Sequence, residues 1–201
     1  MTAPRATRGR PAASAERREA ILDGALECFV TRGFHGTAVP QVAKKAGVAA
    51  GTIYHYFPSK EALVNALYRK WKGAIAHRVL AAFPAGAPVR EQFSVMWSEM
   101  VEFALAHSSA FAFLELHHHR SYLDAESLAM ENNLKDFGGA MVKRAQDEGV
   151  VKPGPTTLLM ELVFGAFIGM MRAHWEGRLD LTADERELAE RACWDTVALR
   201  P

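Results

Sequence analysis

Residues 38–57, AVPQVAKKAGVAAGTIYHYF, decide the fold. They hold two short helical segments, Ala38–Ala46 and Ala50–Phe57, joined by a tight turn at Gly47-Val48. A Gly-containing turn of about three to four residues sets a second helix across a first, which is the helix-turn-helix spacing. Helices this short are marginal in water and need a third to pack on. The stripe Ile21, Ala25 and Phe29, with Leu22 and Cys28 beside it, supplies that helix upstream. In the second short helix Ile53 and Phe57 are four apart and face the core. Thr52, Tyr54, His55 and Tyr56 are left on or near the outer face, where hydroxyls and aromatic rings can meet phosphates and base edges.

Working outward, helical patterns with short breaks fill the chain, and strand-like alternation is almost absent. Ser14 is expected to cap the first helix, with Glu16 and Glu19 in its first turn. That helix stops at Gly33. Thr37 is placed to cap the second helix, where Pro40 falls in the first turn at little cost. Ser59 starts a long fourth helix, Lys60 to Phe83, and 85–88 form a linker. A fifth helix covers Val89 to His107, and a shorter one follows Ser108/Ser109. A seventh starts at Asp124 and ends at Gly149. Lys152-Pro153-Gly154-Pro155 is a breaker. The eighth helix, Thr156 to about Gly177, is apolar almost all round. The ninth opens with the capping box Thr182-Ala-Asp-Glu185 and runs to Leu199. The expected class is all-α with about nine helices. A basic arm spans residues 1–13 with Arg5, Arg8 and Arg10, a helix-turn-helix domain spans 14–60, and a larger helical domain spans 61–201.

The net charge of the 201 residues is +1, which hides an asymmetry. Residues 1–72 hold 12 Lys/Arg against 5 Asp/Glu, a net +7; residues 73–201 hold 12 against 18, a net −6. One part is built to meet a polyanion and the other is not. Cys28 and Cys193 sit among apolar helix formers and read as buried thiols, so the compartment expected is the reducing cytoplasm. The basic N-terminus lacks the apolar core of a signal peptide. The longest apolar run, Leu158 to Met171, is interrupted by Glu161 and falls short of the ~20 residues of a bilayer span. It reads as a helix buried in protein, with no membrane partner.

The stretch RREAILDGALECFVTRGFHGTAVPQVAKKAGVAAGTIYHYFPSKEAL, Arg17–Leu63, resembles the DNA-binding domain of TetR-family transcriptional regulators. Gly33-Phe34, Thr37, Val42-Ala43, Ala46-Gly47-Val48, Gly51-Thr52-Ile53-Tyr54 and Tyr56-Phe57 before Ser59-Lys60-Glu61 recur in the family's order. The resemblance implies an all-α dimer with an N-terminal reading head and a larger effector domain. By position it implies DNA contacts from Ala49, Ala50, Gly51, Thr52, Tyr54, His55 and Tyr56, with Lys60 gripping a phosphate. Ala49 and Ala50 depart from the family's pattern of Ser and a basic residue, so backbone amides must serve there. Affinity then leans on Lys44, Lys45 and the arginine arm, unless those lysines form only a solvated face. Thr37 either caps helix two or reads a base.

The C-terminal part must be read from its chemistry. Met and aromatic residues at helical spacing suit an adaptable apolar pocket. The candidate ligand-binding residues are Trp97, Met100, Phe103, His107, Phe111, Leu114, Met130, Phe167, Met171 and His174, with His107 and His174 as the polar groups that orient an effector. His117, His118 and His119 are adjacent on a helix and point about 100° apart, so they cannot close on one metal. Neither a metal nor a cofactor is expected. Gly165 and Gly169 let two helices approach closely, and Leu188, Ala192 and residues 194–199 add apolar surface. The resemblance implies a homodimer through the last two helices, which this apolar surface suits, with an isologous contact. No nucleophile elbow, phosphate loop or HExxH motif is present, so the chain is not expected to be an enzyme. The expected function is a ligand-responsive repressor that binds a palindromic operator in double-stranded DNA and is released by a hydrophobic or aromatic small molecule. The alternative is an architectural DNA-binding protein, or an activator, without such an effector.

Overall fold

A computed structural model describes residues 10–116 and 120–199. Arg5, Arg8 and the run His117–His119 lie outside the described residues. Among those described there are nine helices: α1 (Arg10–Gly36), α2 (Val39–Ala46), α3 (Ala50–Tyr56), α4 (Lys60–Ala82), α5 (Val89–Ala106), α6 (Ser108–Leu116), α7 (Ala125–Asp147), α8 (Thr156–Trp175) and α9 (Ala183–Val197). The one β feature among them is an isolated antiparallel bridge between Val151 and Ala198.

The helix ends follow local chemistry. Gly47 takes the left-handed conformation (φ 66°, ψ 32°) that closes α2, and Val48 N–H donates to Ala43 O at 3.0 Å. Ser59 Oγ accepts from Ala62 N–H at 3.0 Å ahead of α4, and Asp124 Oδ1 accepts from Ser127 N–H at 2.9 Å ahead of α7. Thr182 and Glu185 form the expected capping box on α9.

Two expectations about the first helices are corrected, and one is kept. Ser14 caps nothing: α1 begins at Arg10, and Ser14 lies inside it. Gly33 breaks the helix as expected: its backbone is non-helical (φ 67°, ψ 175°), and only a short helical stretch to Gly36 follows it. Thr37 does not cap α2, whose N-cap is Ala38. The Thr37 hydroxyl turns inward and shares its proton between Cys28 O (3.0 Å) and Gly33 O (2.8 Å), on either side of the helix end.

The chain divides into two compact units. The first holds α1–α3, α4 as far as Trp71, and 109–127. Its core is Ile21, Leu22, Ala25 and Phe29 of α1 against Val42 and Ala43 of α2, Ile53 and Phe57 about α3, and Leu63, Val64 and Leu67 of α4. Burial of each large side chain contributes about 1.5–3 kcal/mol, enough to hold α2 and α3, too short to stand alone. Gly24 permits the α1–α2 contact, because a Cβ there would lie 3.1 Å from Ala46 N and 3.3 Å from Val42 O. Phe29 stacks on Phe113 (centroids 6.2 Å apart), and Phe34 stacks on Tyr122 (4.2 Å).

The second unit holds 72–108 and 128–201. Phe93, Trp97, Val101 and Phe103 of α5 are buried with Phe167 and Met171 of α8, and Trp97 meets Phe167 edge-on at 5.4 Å. A satellite cluster of Val89, Ala145, Val151, Leu159 and Val197 lies under the Val151–Ala198 bridge. Arg90 forms a two-pronged ion pair with the buried Glu190, joining α5 to α9.

Helix α8 differs from expectation. By length and composition its 20 residues suffice to cross a bilayer, yet only 17% of its most apolar window is buried within the chain. Leu158 and Leu162 are about half exposed, and a Cβ on Gly165 or Gly169 would meet nothing within 4 Å. The helix is apolar all round, but the chain covers only the side carrying Leu159, Phe167 and Met171.

Candidate nucleic-acid interface

α3 is held by its inward residues and presents the others. Ile53 and the following Phe57 are sunk in the core, while Tyr54 is 53% exposed and His55 is exposed; Thr52 and Tyr56 are half-buried. The leading residues are small: Ala49 is the N-cap in extended conformation, and a Cβ on Gly51 would meet nothing within 4 Å. A partner can therefore come close to the backbone at this helix start.

The flank of α3 and the start of α1 enclose a groove of about 460 Å³. Thr52, His55 and Tyr56 line it from α3, and Ser14 and Arg17 from α1. Tyr56 OH and Ser14 Oγ are hydrogen-bonded at 3.1 Å. That bond, together with the nearby Arg17 guanidinium, lowers the Tyr56 phenol from its ordinary value, against a lesser upward effect of desolvation. The groove thus joins hydroxyl and imidazole groups to a fixed cation. The sequence reading missed Ser14 and Arg17. Their three-residue spacing puts them on one face of α1, but nothing local shows that this face meets α3.

The remaining expected DNA residues fall in different environments. Lys44 and Lys45 are exposed in the last turn of α2, and Lys45 is ion-paired with Glu27. Lys60 points inward: its Nζ donates to Phe34 O (2.9 Å) and Thr37 O (3.1 Å) and sits 4.2 Å from the Phe34 ring centroid. Two of its three N–H donors are therefore committed to the protein. Thr37 is 2% exposed and cannot read a base.

The expected ligand residues are distributed over both units. Trp97, Phe103, Phe167 and Met171 are buried in the second unit, and Phe111 and Leu114 are buried in the first. Met100 and Met130 are half-buried. His174 Nδ1 lies 2.9 Å from Leu179 O and ties down the turn after α8. The buried Trp97 indole N–H has no hydrogen-bond acceptor among the described residues. Phe103 and His107 share a second groove with His77 and Arg78 of α4, which the sequence reading did not single out.

Comparison with known proteins agrees with this layout. Residues 21–67 match the family described as bacterial regulatory proteins, tetR family, and residues 71–199 match the tetracyclin repressor-like C-terminal domain. The chain is 44% identical over 68 residues to the HTH-type transcriptional regulator RutR of Escherichia coli K12, covering 34% of this chain and 32% of that protein. It is 42% identical over 77 residues to the HTH-type transcriptional repressor KstR of Mycolicibacterium smegmatis, covering 38% of each. The match thus spans about a third of the length of these curated relatives. A TetR family transcription regulator from Marinobacter aquaeolei has the same fold, with a TM-score of 0.82 and 26% identity over 94% of this chain and all of that one. A TetR family protein from Vibrio parahaemolyticus has a TM-score of 0.73 and 30% identity over 92% of this chain and all of that one. Relatives and fold alike are transcription regulators rather than enzymes, and the chain belongs to the TetR family of helix-turn-helix transcriptional regulators.

Proposed function

We propose that this regulator is a homodimeric repressor that binds a palindromic operator through α3 and is released by a small hydrophobic or aromatic effector. The observation that carries the reading is the α3 surface: Thr52, Tyr54, His55 and Tyr56 stand outward on a helix fixed by Ile53 and Phe57, with Arg17 and Ser14 beside them. Such a head delivers hydroxyl, imidazole and backbone N–H donors to the major groove while cations flank the phosphates. Two heads related by a two-fold axis read half-sites about 34–36 Å apart, or a small multiple of that. The repressor assignment is supported by the name of the relative KstR.

The second copy docks on the uncovered apolar side of α8, with the exposed Leu188 and Leu199 at and just beyond α9 extending the surface. The effector acts in the second unit, whose buried Trp97 N–H is a donor awaiting an acceptor. Helix α4 belongs to both units, Lys60–Trp71 to the first and 72–82 to the second, so a ligand that shifts it changes the geometry of the reading heads. Coupling of this kind is typically worth about 1–3 kcal/mol. The protein acts in the cytoplasm, where its operator lies.

Fluorescence anisotropy with a labelled palindrome from upstream of the protein's own coding sequence tests this reading. Expected is saturable binding that weakens steeply with salt, as counterion release at the phosphates requires. Equal affinity for the palindrome and for a scrambled duplex would overturn it.

A further inference from the structure

The second unit contains a groove of about 520 Å³ between the latter half of α4 and the end of α5. Ala74, Ala81 and Ala82 give it a smooth apolar wall, and Phe103 adds an aromatic one. Its polar groups are His77, Arg78 and His107. No acidic side chain among the described residues lines it. Its size falls within the range of sites for small organic ligands, about 300–1,000 Å³.

Arg78 gives the groove its character. Its Nε donates to Glu99 Oε2 at 2.5 Å, so one side of the guanidinium is held in place. The terminal Nη edge makes no further hydrogen bond among the described residues. A planar fork fixed at one edge and open at the other matches a carboxylate, which accepts two parallel N–H bonds. His77 and His107 add imidazole groups, each carrying an N–H donor in any protonation state. The alanine wall and Phe103 take an apolar body but satisfy no second charge.

We propose that this groove binds a small organic monocarboxylate, with the carboxylate on the Arg78 fork between His77 and His107 and the apolar body along the alanine wall. This inference deepens the effector reading by naming a ligand class, and it rests on that reading for its consequence at DNA alone.

Titration calorimetry of the full chain with octanoate and 4-phenylbutyrate as probes, and octanol as the uncharged control, tests the site. Octanoate should bind about tenfold or more tightly than octanol. Arg78→Gln should remove that preference, and Glu99→Gln, which leaves the guanidinium unneutralised, should tighten octanoate binding. A merely structural Arg78–Glu99 pair would move both variants in the same direction. Ala81→Trp, at an exposed position, should block the groove without unfolding the chain. Equal binding of octanoate and octanol, same-sign effects of the two variants, or no carboxylate binding up to about 1 mM would each overturn the proposal. Carboxylate binding that leaves operator affinity unchanged would support the groove and sink only the effector reading.

Discussion

Ser14 and Tyr56, 42 positions apart, meet side chain to side chain at 3.1 Å, one inside α1 and the other closing α3. The bond ties the reading helix to α1 at its exposed end, opposite the core contacts of Ile53. Both groups sit at the surface, so the bond positions Tyr56 more than it stabilises the fold. Tyr56→Phe should leave the melting temperature nearly unchanged while weakening operator binding about three- to tenfold, as loss of one polar contact would. A large drop in melting temperature would instead make Tyr56 a core residue.

The lowered phenol adds a pH signature. Ser14 and Arg17 favour the phenolate, so Tyr56 ionises below its usual value near 10. The resulting gain in folded-state stability is complete above the ordinary phenol value and is lost as pH falls through the lowered folded value. Binding should move the other way, because a phenolate facing phosphate repels it. Operator affinity is expected to fall as pH rises toward the ordinary phenol value near 10, and more steeply than for Tyr56→Phe. Parallel profiles for the two proteins would remove Tyr56 from the DNA surface.

Thr37→Val offers a complementary test, since the residue belongs to the core. The substitution keeps the shape and removes the donor to Cys28 O and Gly33 O, both near the kink in α1. Losing a buried hydrogen bond costs about 0.5–1.5 kcal/mol, measurable as a lower urea midpoint. DNA affinity of the folded fraction should be unchanged. A loss of affinity at full stability would restore Thr37 to the base-reading set.

Asp124 closes a polar knot in the first unit. Arg69 Nη1 donates to both of its carboxylate oxygens at 2.8–2.9 Å, Ser127 N–H caps on it, and the Asn65 side chain bridges Tyr122 O and Asp124 N–H. Partial desolvation raises the Asp124 carboxyl, but the Arg69 and Ser127 bonds outweigh it and the net value is lowered. A lowered carboxyl contributes stability above its ordinary value near 3.9, and that contribution is lost as pH falls through the folded value. Asp124→Ala should therefore reduce the melting temperature at pH 7, and the gap to wild type should narrow as pH falls through and below the ordinary carboxyl value near 3.9. A gap that persists undiminished in acid would mean that Asp124 acts without its charge.

Helix limits were legible because Gly47, Ser59, Asp124 and the Thr182–Glu185 box act within one turn of themselves. The outward set on α3 was legible because Ile53 and Phe57 fix the helix phase. Ser14, Thr37 and Lys60 were misplaced for one shared reason. Each is a good capping or phosphate-binding type, but each spends its polar atoms on partners 4 to 42 positions away. The second groove was missed because Met and Phe runs drew attention to α5–α8, while His77 and Arg78 lie on α4, which reads as a connector. Periodicity also could not show that α8 keeps a bare side, since an apolar residue looks the same whether its own chain or another covers it.

That bare side leads to the last prediction. Leu158, Leu162, Gly165 and Gly169 follow one another at spacings of three and four, so they share a face of α8. Gly165→Leu adds a side chain where nothing lies within 4 Å, so the isolated chain has room for it. Replacing a mid-helix glycine also removes a conformational penalty of about 0.5–1 kcal/mol, so the subunit itself should lose no stability. A second helix packed close against that glycine would be pushed away. Sedimentation equilibrium should find wild type dimeric and Gly165→Leu shifted toward monomer, with unchanged helical content by circular dichroism. Leu162→Glu should do the same by placing a charge in the contact, and both variants should lose affinity for the full palindrome more than for a single half-site. If both remain dimeric, the two subunits meet elsewhere.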